Sequence, residues 1–355
     1  MKKLYLCIVL ELCVLTMSQR TALDTSILGY IYRGYRNWLT HSYGTGNEDR
    51  MSQLRNKNKF QKEVPIDVPF PCNVTAGRSS KVPESVHRLK PGDIDVIAAM
   101  GDSLTNGAGI TSFYIFEVNI ENRGIVGSIG GQGTWRQYLT LPNILKEFNP
   151  KLVGYSLGDA ISTDPAAQLN VAEPGTMSKD MTFMATYLVN KMKDDPRIDI
   201  NKHWKELVTA YQGRESLPCY VSSMIGCSCM FALKFRDQRP EYYKIIERWQ
   251  KIDEEVANYP EFHKNDFTVE ILPTLENAKV PLAEDGLADF SYLNADCFHW
   301  SQKLHAIYAN NLWNNLLEPV GNKSGALTSL FKKFLCPTSE RPFLMTYKNS
   351  QNNET

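Results

Sequence analysis

The chain has 355 residues, and its 39 Lys+Arg balance 39 Asp+Glu, so no net field draws it toward nucleic acid. With 43% hydrophobic and 22% charged residues it carries enough apolar material for a full core, which excludes a mainly disordered chain. The length suits one large α/β domain or two smaller ones.

Met1-Lys2-Lys3 leads into an apolar run from Leu4 to Leu15, interrupted by Glu11, and then Ser18 and Gln19. This pattern predicts a signal peptide over 1–18, since the run falls short of the roughly 20 apolar residues that cross a bilayer. An N-terminal extension follows over 19–90. It starts with Tyr30, Tyr32, Tyr35 and Trp38, passes through a basic stretch from Arg50 to Lys62, and reaches Pro65, Pro69, Pro71 and Pro83. It is expected to pack on the main body, with its basic stretch as a solvated face rather than a patch for anionic lipid.

The main body spans 91–320. Asp95 to Met100 predicts a buried strand, Arg136 to Phe148 a helix, Lys151 to Leu157 a strand, and Lys179 to Lys193 a helix. Trp204 to Thr209 predicts a strand. Glu241 to Val256 predicts an amphipathic helix whose stripe is Tyr242, Ile245, Ile246, Trp249 and Ile252. Phe267 to Leu272 reads as a strand before Pro273, and Ser301 to Leu317 as a helix ended by Pro319. Such alternation implies a layered α/β fold with a mostly parallel sheet. A tail over 321–355 ends in polar residues.

Removing the leader with Cys7 and Cys13 leaves Cys72, Cys219, Cys227, Cys229, Cys297 and Cys336. An even set suits disulfides outside the cell, but spacing does not fix the pairing. Cys227-Ser-Cys229 lacks zinc-site spacing. Sequons at Asn73, Asn322 and Asn353 fit the same secretory route. The expected location is secreted, extracellular.

Gly101-Asp102-Ser103-Leu104 stands just after the first strand, which puts the Ser103 hydroxyl at the carboxyl end of the sheet, where open α/β sheets bind ligands. A serine nucleophile needs a base and a group that orients the base. Asp296-Cys-Phe-His299 supplies both types three residues apart. Separately, each motif has a plain structural reading, a turn for Gly-Asp and a helix cap for Asp; together they point to acyl transfer. His305, six residues past His299 on the expected helix, should face elsewhere. His41, His87, His203 and His263 lack neighbours that would make a ligand set, and no phosphate loop or dinucleotide fingerprint occurs. No cofactor or metal is expected.

With these motifs the chain resembles the GDSL, or SGNH, hydrolases and, more narrowly, one catalytic unit of the membrane-associated phospholipase B subfamily. The likeness also runs through Ser128-Ile-Gly-Gly131, Leu141 to Pro150, and Leu312 to Val320, and covers about residue 30 to Ser350. It implies a three-layer α/β/α fold, with Ser103 as nucleophile, His299 as general base and Asp296 as its orienting carboxylate. It also implies oxyanion donors at the N–H groups of Ser103 and Gly175, the latter from Asn170-Val-Ala-Glu-Pro-Gly175. The implied substrates are phospholipids or lysophospholipids, with transient contact to a membrane surface.

One family block is absent. A Gly-Asn-Asp segment, whose Asn is a further oxyanion donor, should follow Trp204–Thr209, yet the chain passes directly to Ala210-Tyr-Gln-Gly and contains no Gly-Asn-Asp. The expected fold is therefore shortened by a missing internal segment. Two functions stay open at this point: an esterase of reduced activity, or a catalytically weak or inactive relative that binds lipid or protein.

Overall fold

The computed structural model describes residues 27–176, 180–199, 208–209, 237–284, 286 and 289–351. The expected leader, most of the Trp204–Thr209 strand, Cys219, Cys227, Cys229, His203 and the Asn353 sequon lie outside them. The apolar run from Ile94 to Ala99 is the axis. Ile97 N–H donates to Val153 O (2.9 Å) and Val153 N–H to Asp95 O (3.0 Å), then Ala99 N–H donates to Leu169 O (3.1 Å) and Val171 N–H to Ala99 O (2.9 Å). On the opposite edge β1 (Ala98–Ala99) pairs in parallel with β2 (Val208–Thr209), Ala98 facing Val208 and Ala99 facing Thr209.

Alternation along this run decides the packing. Ile97 and Ala99 join one core with Leu141, Ile144 and Leu145 of α4 (Leu141–Phe148) and Leu312, Trp313 and Leu316 of α7 (Gln302–Leu317). Val96 and Ala98 join another with Met184, Leu188 and Met192 of α5 (Met181–Asp194). A run buried on both faces is what a parallel α/β arrangement requires. Trp313 is fully buried, stacked on Phe148 at 5.4 Å, with its indole N–H on Leu335 O (2.7 Å).

The chain before residue 90 belongs to the same core. α1 (Ile27–Tyr43) packs on the 115–119 turn, and α2 (Glu48–Asn56) buries Met51 and Leu54 beside Ile97 and Trp135. Cys72 and Cys336 form a disulfide that ties this region to the C-terminal tail, where α8 (Tyr347–Gln351) ends the described chain. Cys297 is disulfide-bonded as well. The sequon residues Asn73 and Asn322 are exposed. Among the described residues no helix is long and apolar enough to cross a membrane.

Several expected elements are shorter or differently placed. Among the described residues, regular strand is confined to β1 and β2. Lys151–Leu157 is not a strand: Val153 bridges Val96 while Ser156 bridges Gly130, and Gly154 between them bends the chain at φ +95°. Phe267–Leu272 keeps a single bridge, Thr268 to His263. The helix expected from Arg136 starts at Leu141, because Thr140 caps it by accepting from Asn143 N–H (3.1 Å) and Pro142 occupies the first turn. The largest departure is α6 (Arg239–Ala257). Of its expected stripe, Ile245 (45%), Trp249 (58%) and Ile252 (42%) are exposed, while Tyr242 and Ile246 are half-buried.

Candidate active site

Ser103 starts α3 (Ser103–Asn106), a single turn capped by Asp102, whose carboxylate accepts from Leu104 N–H (2.9 Å). The turn is tight. Gly101 has φ +153°, and a Cβ there would meet Thr105 Oγ1 at 2.7 Å, so a side chain is excluded at the bend that presents Ser103. Burial pushes the Asp102 carboxyl up, against opposing pulls from the Leu104 N–H and the charge of His299.

That loop preorganises its acid–base pair. Asp296 accepts from the N–H groups of Phe298 (3.1 Å) and His299 (3.0 Å) with one oxygen and pairs with His299 Nδ1 through the other. Burial works against the Asp296 charge, but the imidazole bond, the histidine's charge and the two N–H groups outweigh it and hold the carboxyl below the usual range. With Nδ1 engaged, His299 Nε2 is the nitrogen left to act, and it is buried without a hydrogen-bond partner. No hydrogen bond joins it to Ser103 among the described residues.

His299 precedes α7 instead of lying on it, because Ser301 is the residue before the first helical turn. His305, on α7, is buried, and its pKa is lowered to about 3 by burial and, less, by the charge of His299. Its Nδ1 accepts from Gly127 N–H (3.3 Å), which gives it a structural role.

The segment from Asn170 to Thr176 is fastened to the serine turn. Glu173 N–H (3.1 Å) and the Thr176 hydroxyl (3.0 Å) both donate to Gly101 O, and Asn170 Nδ2 donates to Thr105 O (3.0 Å). Gly175 sits inside this closed turn at φ +74°, the left-handed region that suits glycine. The loop is thus held two residues upstream of Ser103.

A buried ionic lattice, not foreseen from residue pattern, supports this loop. Arg123 donates to the carbonyls of Asn170 (3.1 Å) and Ala172 (2.6 Å) and to Glu121 (2.6 Å). Arg36 of α1 pairs with Glu121 and with Glu173 (2.8 Å). Burial alone would lower Arg36, yet Glu121 and Glu173 raise it above its ordinary value; burial pushes Glu121 up, with Arg123 and Arg36 pulling the other way. Two cations and two anions compensate one another where no water does.

Among the described residues no three His, Cys, Asp or Glu side chains converge as a metal site. A cleft of about 770 Å³ lies between the end of α6 and the C-terminal segment, lined by Glu254, Ile271, Lys323 and Tyr347. It does not contain the serine turn, so the acid–base pair rather than volume selects the site.

No family model and no solved structure matches the chain. Curated relatives do. Phospholipase B1, membrane-associated, is 35% identical over 333 residues in Homo sapiens, covering 77% of this chain and 23% of the relative. The Rattus norvegicus protein of that name is 36% identical over 330 residues (77% and 22%), and the Mus musculus protein 34% over 333 residues (77% and 22%). This chain spans less than a quarter of their length. Because 333 aligned residues correspond to 77% of 355, the matched stretch holds about 60 residues in the human relative that have no counterpart here. Over most of its length the chain is similar to a segment of these phospholipase B1 proteins.

Proposed function

We propose that the chain is a secreted serine esterase that hydrolyses acyl esters of phospholipids and lysophospholipids, built on an SGNH-like three-layer α/β/α fold shortened by an internal segment. The observation that carries it is the Asp296–His299 pair, fixed by three hydrogen bonds and holding a buried, unpartnered Nε2. In the first step Ser103 Oγ adds to the acyl carbonyl and its proton passes to His299 Nε2, while Asp296 keeps the imidazole oriented and balances its positive form. The N–H groups of Ser103 and Gly175 receive the developing oxyanion. Collapse expels the lipid alcohol, which takes the proton from His299, and water then releases the fatty acid by the same sequence in reverse roles. Without the Asn of the absent Gly-Asn-Asp segment, one donor is missing, a rate loss on the order of 10²–10³ against a site that has it.

Purified protein with Ser103→Ala should release fatty acid from lysophosphatidylcholine about 10⁴-fold or more slowly than the unaltered chain; an unchanged rate would exclude this chemistry. The second reading, a lipid- or protein-binding relative without turnover, is favoured by the absent Asn donor and the absent Ser103–His299 hydrogen bond. A fluorophosphonate probe separates the two. Labelling at Ser103 requires an activated nucleophile, whereas a folded protein that stays unlabelled is the binding relative.

A further inference from the structure

α1 is turned inside out for a surface helix. Its charged Arg36 faces inward with Leu39 and Thr40, while Tyr30 (72%), Ile31 (61%) and Trp38 (57%) are exposed. Ile31 and Trp38, seven residues apart, share one face, and Gly34 between them opens onto empty space. Beside this face stand Tyr114, Ile115 and Phe116, all more than half exposed, with Tyr114 and Phe116 stacked 5.8 Å apart. Tyr32 donates to Asn119 (2.7 Å) and Tyr35 to Phe116 O (3.4 Å), so helix and turn form one surface.

The segment that carries Tyr114–Phe116 also reaches the loop of the candidate site. Four residues before Phe116, Ser112 Oγ accepts from Ala295 N–H (3.5 Å), next to Asp296, and Phe298, 40% exposed, packs edge-on against His299. On the inner side, Arg36 is paired to Glu173 of the Gly175 loop. α1 contains two arginines and no carboxylate, and Glu117 at the foot of the turn is buried against Arg50. Tyrosine and tryptophan, apolar with a polar tip, are the side chains that settle at a lipid–water boundary.

We propose that the outer face of α1 together with Tyr114–Phe116 is an interfacial docking surface that lays the mouth of the site on a phospholipid layer. This rests on the reading of phospholipid as substrate, because a face tied through Ser112 to the Ala295–His299 loop would bring lipid to the side that carries the acid–base pair. Apolar area at such a boundary sets the strength of attachment.

The test uses the full chain with Ser103→Ala, so that binding is read without hydrolysis, and phosphatidylcholine vesicles in a flotation assay. Adding Ile31→Ser, Trp38→Ser and Phe116→Ser should reduce the vesicle-bound fraction at least about 10-fold, with the melting temperature unchanged because all three are exposed. Should the triple variant fail to fold, Trp38→Ser and Phe116→Ser singly should each lower partition several-fold. With Ser103 intact, the triple variant should hydrolyse a soluble short-chain ester at the parent rate and vesicle lipid more slowly. Unchanged flotation overturns the proposal; so does a dimer on gel filtration that the substitutions dissociate while flotation persists, since the face then serves a second copy. Face-dependent flotation with no esterase activity would leave the docking surface standing and remove the esterase.

Discussion

α1 and α6 both present large apolar side chains to solvent, but they do so on different foundations. α1 is clamped from within by Arg36 to Glu121 and Glu173 and by Leu39 in the core, so its outward aromatics stand on a fixed base. α6 carries Ile245, Trp249, Ile252 and Val256 on one stripe and fully buries only Ala257 among its described side chains. An apolar helix face that covers nothing has lost the main source of helix stability in a folded protein. The chain is about 60 residues short of the matched stretch of its human relative, and the expected gap falls just ahead of this helix. The exposed face of α1 is thus a feature of a helix fixed in the core, whereas that of α6 stands open among the described residues.

The strongest way to sharpen this contrast is to disable the candidate site at its chemistry. Asp296→Asn keeps the shape of the loop but no longer favours the tautomer that leaves Nε2 basic, and should lower kcat for fatty acid release on the order of 10⁴ with little change in melting temperature. A parallel loss of both would mean that Asp296 is structural.

Acid should unfold the core through His305. Its pKa is about 3 in the fold against 6.5 for an unrestrained histidine, so the folded state holds the neutral ring. The associated stability is complete above about pH 6.5 and is lost as pH falls from there toward 3, up to about 5 kcal/mol in all. Urea midpoints between pH 7 and pH 4 should fall steeply for the parent and more shallowly for His305→Gln; parallel slopes would assign the acid lability to other groups. Next in size is Arg36→Met, which leaves Glu121 and Glu173 with one cation between them and should cost about 3–5 kcal/mol in urea unfolding. It should also slow ester hydrolysis, because the Gly175 loop loses a tether.

How much of this was legible before the fold depended on distance along the chain. Asp296 and His299 are three residues apart, and Ser103 follows a strand and a glycine, so local pattern alone exposed each motif. The lattice of Arg36, Glu121, Arg123 and Glu173 reaches across separations of 85 and 137 residues, and no spacing in the sequence foretells that these charges meet inside. Lys151–Leu157 misled because an apolar run states burial but not partner: Val153 and Ser156 bond to different neighbours, so no single ladder forms. The periodicity of α6 correctly gave a helix, but amphipathicity specifies a face and not what lies against it.

The smallest expected effect is the one that tests the account of α6. Deleting a buried aliphatic side chain such as Leu54, 1% exposed beside the disulfide-linked core, should cost about 2–5 kcal/mol as Leu54→Ala. Trp249→Ser removes a larger side chain from the centre of the α6 stripe, yet with more than half its surface in water it should shift stability by no more than about 0.5 kcal/mol. Solubility should rise, since the substitution breaks up an exposed apolar patch. A cost above about 2 kcal/mol for Trp249→Ser, near that of a core deletion, would mean that the stripe is covered in the folded protein, and the contrast between the two helices would collapse.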